Sequence, residues 1–245
     1  MNPITEFQKV TLTDEEIKQC KNTAVGWVQK WLNVHTGSNL VIDGVFGNAS
    51  QSTFLEKFTN KNAVAITEPE LKQLSEMLGT SNLKYIRAVA SVESAGSGWD
   101  KEGLVKILYE RHKFFQFSMH KKITIYCSPK AGGYDINSWT KLLSAISVDP
   151  LSALKSISIG KFQVMGMYYK DCGYSHPIEM LYDSTRSELA QYQLLVSYIL
   201  NIAHIKNEFL SLCTEPEKNK PFARAYNGKN FENNKYHIKL AQAMK

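Results

Sequence analysis

The sequence has no C-x-x-C pair, no H-x-x-x-H pair, no dense lysine or arginine run, no internal repeat and no low-complexity tract. Each absence removes a class of function. Cys20, Cys127, Cys172 and Cys213 are widely scattered, which reads as free thiols in a reducing compartment, not as a disulfide frame or zinc site. Without clustered histidine or cysteine a zinc hydrolase lacks its ligands, and no cysteine stands in a nucleophile motif. No cofactor is expected, and no nucleic-acid partner. The most apolar run, Leu194 to Ile205, is too short to span a bilayer and contains Asn201 and His204. The opening residues M-N-P-I-T-E-F-Q-K hold no apolar signal core. A protein made and kept in a cytoplasm is therefore expected.

What is present suits a soluble protein with a sizeable core. A length of 245 residues allows one large domain, or a small one plus a medium one. The charge is unevenly placed. Residues through Glu68 carry six lysines against seven acids, whereas the remainder carries 23 Lys plus Arg against 16 acids. The basic excess suits an anionic partner such as a cell-wall polymer or membrane surface.

Helical signals dominate. Thr13 with Glu16 forms a capping-box pattern opening a helix toward Lys21. Val25, Val28, Trp31 and Leu32 share a face over 24–34, and a helix from Asn48 or Ser50 carries Phe54, Leu55 and Phe58. Thr59 to Glu68 reads as a boundary. Beyond it the spacing predicts helices over 69–78, 83–93, 103–117, 137–146 and 150–156, with Asp149-Pro150 as cap and first turn. Ile123 to Tyr126 alternates weakly like a strand. Thr185 with Glu188 opens a long, all-round apolar helix toward Cys213. Short helices start at Pro221 and after Asn233 or Asn234.

In the first part, V-Q-K-W-L-N (Val28 to Asn33) and V-I-D-G-V-F-G (Val41 to Gly47) precede the helix ending in Phe58. This pattern resembles the peptidoglycan-binding domain of many cell-wall hydrolases. Asp43 and Gly44 form a turn, and Phe46 anchors the loop. The resemblance implies that a groove beside the loop docks glycan or stem peptide.

The stretch Ile86 to Gly98, I-R-A-V-A-S-V-E-S-A-G-S-G, is the centre of the second part. Ile86, Val89 and Ala90 follow helical spacing, and Glu93 takes the next position on that apolar stripe. A carboxyl at the end of an apolar face is poorly solvated, so its pKa rises and it can act as a general acid near neutral pH. The residues alone leave a second reading open, a boundary glutamate reaching water or pairing with Arg87.

Two further segments place polar groups beside glycines: S-I-G-K-F-Q-V-M-G with Gly160 and Gln163, and A-R-A-Y-N-G with Tyr226 and Asn227. In this order the three segments resemble the lysozyme-like superfamily of goose-type lysozymes and lytic transglycosylases. With Y-E-R-H-K-F (Tyr109 to Phe114) and G-G-Y (Gly132 to Tyr134), the longer match resembles the N-acetylmuramidase domain of bacteriophage endolysins. One departure is Ile159, where the family usually has Trp.

The resemblance implies a mainly α fold: a small three-helix peptidoglycan-binding bundle (1–66), and a larger lysozyme-like helical domain with a short irregular or β segment (67–245). It implies peptidoglycan as substrate, Glu93 as general acid, and Gln163, Tyr226 and Asn227 along the sugar cleft. A second carboxylate is left open. Glu102 or Asp100 could face the cleft, and Glu110 either contacts substrate or belongs to a network that holds its helix. A monomer is expected, stored in the host cytoplasm and released by a holin. Lys235, Lys239 and Lys245 on the last helix could meet an anionic envelope surface, or simply point outward while Ile238 and Leu240 pack on the core.

Overall fold

The computed structural model describes residues 25–93 and 96–245. The expected helix at 13–21 and Cys20 lie outside the described residues, as do Ser94 and Ala95. Among the described residues the order is α1 (Gly26–Thr36), α2 (Asn48–Lys57), α3 (Glu68–Met77), α4 (Lys84–Glu93), β1 (Ile107–Tyr109), α5 (Arg111–Phe117), α6 (Ser138–Ile146) and α7 (Pro150–Lys155). Then come β2 (Ile157–Ile159), β3 (Val164–Met165), α8 (Pro177–Arg186), α9 (Glu188–Ser197), α10 (Lys206–Leu210), α11 (Lys220–Asn227) and α12 (Tyr236–Ala243). The fold is mainly helical with one small sheet. No described helix is long and apolar enough to cross a membrane.

Local chemistry sets most helix starts. The Thr67 hydroxyl and the Glu70 carboxylate form a capping box at α3. Asn137 caps α6 through Trp139 N and Thr140 N, and Asp149 caps α7 through Ser152 N.

Three expectations need correction. Residues 103–117 are not one helix. Residues 107–109 form β1, which pairs antiparallel with β2 in the register Ile107–Ile159, and only 111–117 is helical. The β segment is therefore β1-β2-β3, and Ile123–Tyr126 is not part of it. The long helix expected over 185–213 is broken. The Ser187 hydroxyl caps a new start by accepting from Ala190 N, a π-helical turn follows at Tyr198–Ile202, and α10 begins at Lys206.

The V-Q and D-G motifs meet in space. The Gln29 side-chain amide lies 2.8 Å from Asp43 Oδ1, 3.0 Å from Val45 O and 3.0 Å from Ser50 Oγ, while its Oε1 accepts from Gly44 N at 3.0 Å. One buried amide thus organises the loop. Trp31 packs edge-on against Tyr182 with centroids 5.4 Å apart, Trp27 lies 4.3 Å from the His176 ring, and Phe54 meets Trp139. A single hydrophobic core therefore runs across position 66. The 59–66 segment is also stitched to the larger part. Asn60 N donates to Gly103 O at 2.8 Å, Asn60 Nδ2 to Thr185 O at 2.9 Å, and Glu188 N to Val64 O at 2.9 Å.

Candidate active site

A cleft of three joined lobes crosses the larger part. The inner lobe, about 280 Å³, is lined by Glu93, Gln163, Tyr168, Tyr198, Tyr226 and Asn227 among others. The middle lobe, about 420 Å³, shares Glu93 and Gln163 with it and adds Gly96, Ser97, Lys106 and Lys161. The outer lobe, about 490 Å³, shares Gly96, Ser97 and Lys161 with the middle one and reaches Asn60, Lys61, Trp99 and Lys101. The three segments singled out in the sequence therefore converge on one place, although they are far apart in the chain.

Glu93 ends α4, whose Ile86, Val89 and Ala90 are buried. Its carboxyl is half-buried, and its Oε1 atom is shielded from water without a hydrogen-bond partner among the described residues. Burial raises its pKa, and the Tyr236 hydroxyl and then the Lys239 ammonium, both on α12, pull it partly back. Tyrosines surround it. Tyr226 meets Tyr198 edge-on at 5.1 Å and stacks with Tyr236 at 6.1 Å. Burial pushes the Tyr226 and Tyr236 hydroxyls well above the usual phenol range, and the Glu93 charge adds to the effect. These hydroxyls stay protonated and can donate. Tyr198 begins the π-helical turn, an irregularity often found at functional sites.

Gln163 sits in the β2–β3 turn with φ +50°. Its Oε1 accepts from Ser158 Oγ at 2.7 Å and its Nε2 donates to Gly160 O at 2.8 Å, so it shapes the turn while lining two lobes. Beneath lies Gln191, which sequence reasoning passed over as helix core. Its Oε1 accepts from Lys161 N at 2.6 Å and its Nε2 donates to Ser184 O at 2.8 Å. A Cβ on Gly98 would lie 1.8 Å from Gln191 Oε1, and one on Gly160 2.7 Å from it. Only glycine lets both loops settle on this amide.

Two of the other sequence-derived carboxylates, Glu102 and Glu110, lie outside the three lobes. Glu102 is exposed, 3.4 Å from Lys101 Nζ, and lines none of the lobes. Glu110 accepts from the Tyr134 hydroxyl at 2.9 Å, lies 3.2 Å from His112 Nδ1 and also lines none of them. Asp100 borders the outer lobe. Ile159, at the place of the expected Trp, is buried in β2. In the N-terminal part a groove of about 390 Å³ runs beside the organised loop, lined by Gln29, Leu40, Val41, Asp43, Val45 and Asn48 among others.

A desolvated carboxyl under a sugar-sized cleft walled by tyrosines is the arrangement of a glycoside hydrolase. The N-acetylmuramidase family profile matches residues 82–245, and the chain belongs to that family, whose members act on peptidoglycan. The chain is also similar to a solved structure, the Burkholderia AP3 phage endolysin. The TM-score is 0.65 with 27% identity over 90% of this chain and 92% of that one. No curated protein matches.

Proposed function

We propose that the chain is an endolysin that cleaves the β-1,4 bond between N-acetylmuramic acid and N-acetylglucosamine for host-cell lysis, with Glu93 as general acid. Residues 1–66 hold the wall and 67–245 cut it. The observation that carries this reading is the shielded Oε1 of Glu93, unpartnered among the described residues, at the junction of the inner and middle lobes. A neutral carboxyl there gives its proton to the glycosidic oxygen as the C1–O bond breaks, and the resulting carboxylate can take a proton from incoming water. Gln163, Tyr226 and Asn227 orient the sugars. The charged enzyme waits in the host cytoplasm for release by a holin, acts as a monomer and needs no cofactor.

Glu93→Gln keeps size and shape but cannot release a proton. Loss of wall clearing with unchanged thermal stability is expected. Retained clearing would end the proposal.

A second reading, lytic transglycosylation, is favoured by one feature. Among the described residues lining the inner and middle lobes, Glu93 is the sole carboxylate. An intramolecular hydroxyl would then replace water, leaving 1,6-anhydro ends about 18 Da lighter by the elements of water. Mass spectrometry of the digest decides between the two.

A further inference from the structure

We propose that the outer lobe, walled by the 60–65 segment on one side and the Trp99–Gly103 turn on the other, is a binding site for the acidic stem peptide of peptidoglycan. This deepens the muramidase reading and rests on it. The lobe joins the cleft at Glu93 through Gly96, Ser97 and Lys161, so it lies within reach of the substituents of a glycan seated on Glu93. Its volume, about 490 Å³, falls within the usual range for ligand pockets.

The two ends of the cleft differ in chemistry. The inner lobe presents tyrosines, suited to sugar rings and hydroxyls. The outer lobe presents Lys61, Lys101, Lys161, Asp100 and Glu188. Both carboxylates are already engaged within the protein. Glu188 Oε1 meets Lys161 Nζ at 2.8 Å, and its Oε2 accepts from Ile66 N at 3.0 Å. Asp100 Oδ1 accepts from Glu102 N and Leu104 N, both at 2.9 Å. Lys161 is held by Glu188. The lining thus carries three lysines against two carboxylates, an excess of one positive charge, with Lys61 and Lys101 the cations open to a ligand. Lys61 has no ion-pair partner among the described residues, and Lys101 meets only the exposed Glu102 at 3.4 Å, a weak pairing in solvent. The unmet charge of the lobe is positive. On peptidoglycan the sugar rings are neutral, whereas the stem peptide attached to the lactyl group carries carboxylates. The wall facing them is preformed, because Thr59 bridges to Leu104 and Asn60 is bonded to Gly103 and Thr185.

The test compares Lys61→Gln/Lys101→Gln with the parent on two soluble glycans, one with stem peptides intact and one stripped by an amidase. Both lysines are exposed, so the variant should fold with an unchanged melting temperature. The expected result is a loss of about five- to tenfold in kcat/KM on the peptide-bearing glycan, carried by KM, with less than about twofold change on the stripped one. An equal loss on both substrates, or none on either, overturns the peptide site. A parent that cleaves neither substrate overturns the muramidase reading, and the peptide site with it.

Discussion

The side chains of Gln29 and Asp43 meet at 2.8 Å across fourteen positions, and this contact joins the V-Q motif to the D-G loop. The same contact, followed by the amide of Val45, holds the Asp43 carboxyl below the usual carboxylate range. Gln29→Ala strands several loop groups at once. A loss of about 1–3 kcal/mol is expected in chemical denaturation, with the muramidase chemistry on soluble glycan retained. An unchanged denaturation midpoint would show that the loop holds itself.

The Tyr236 hydroxyl lowers the pKa of Glu93 against the larger upward push of burial. In the proposed role of general acid Glu93 works while protonated, so its pKa would set the alkaline limb of the rate profile. Tyr236→Phe removes the lowering influence. The alkaline limb of kcat/KM should move to higher pH, and Lys239→Met should move it the same way. A limb that moves to lower pH would contradict this account.

Gly98 and Gly160 both lie against the Gln191 amide. Gly98→Ala should cost about 1–3 kcal/mol through overpacking and reduce activity by displacing the loop after Glu93. Because the clash is with one side chain, Gln191→Ala should return part of that loss. A double-mutant cycle reads the coupling, and strict additivity would rule out the contact as the cause.

His176 lies buried beneath Trp27, and burial lowers its pKa from 6.5 to about 3. Its Nδ1 accepts from Ile178 N at 3.3 Å, a bond that needs the neutral ring. The unfolded chain takes up this proton near pH 6.5 and the folded chain does not. Stability is therefore full above that pH and falls as pH drops toward 3. Between pH 7 and 5 this group should remove about 2 kcal/mol of unfolding free energy. Denaturation at the two pH values checks this, and His176→Asn should flatten the difference.

The sequence was most legible where the determinants are local. Asp149-Pro150 marks its helix because cap and first turn are adjacent, and the face shared by Trp31 and Leu32 is set by helical spacing alone. It was least legible where a distant partner decides. Leu104, Ile107 and Leu108 carry helical spacing, yet β2, some fifty positions later, supplies the hydrogen bonds that make 107–109 a strand. Glu93 was visible as a carboxylate on an apolar stripe. Tyr236 and Gln191 gave no local signal, since a tyrosine near the end of the chain and a glutamine in an apolar helix look like ordinary packing residues. Three short motifs bring Glu93, Gln163 and Tyr226-Asn227 to one cleft, whereas Glu102, just past the glycine loop in sequence, lines none of its lobes, and Glu110 sits with Tyr134 and His112, the network that the sequence left open.

The aromatic contacts of Trp31 with Tyr182 and Trp27 with His176 fix more than stability. They set the loop groove and the Glu93 cleft at one distance and one bearing. A slack tether raises the local concentration of a second site by letting it search. Here the two are held by one core. Under the proposed division of labour, a strand held in the groove would meet the Glu93 cleft at a single offset, so the molecule would act as a caliper and the spacing of cuts along a wall would be written into its core.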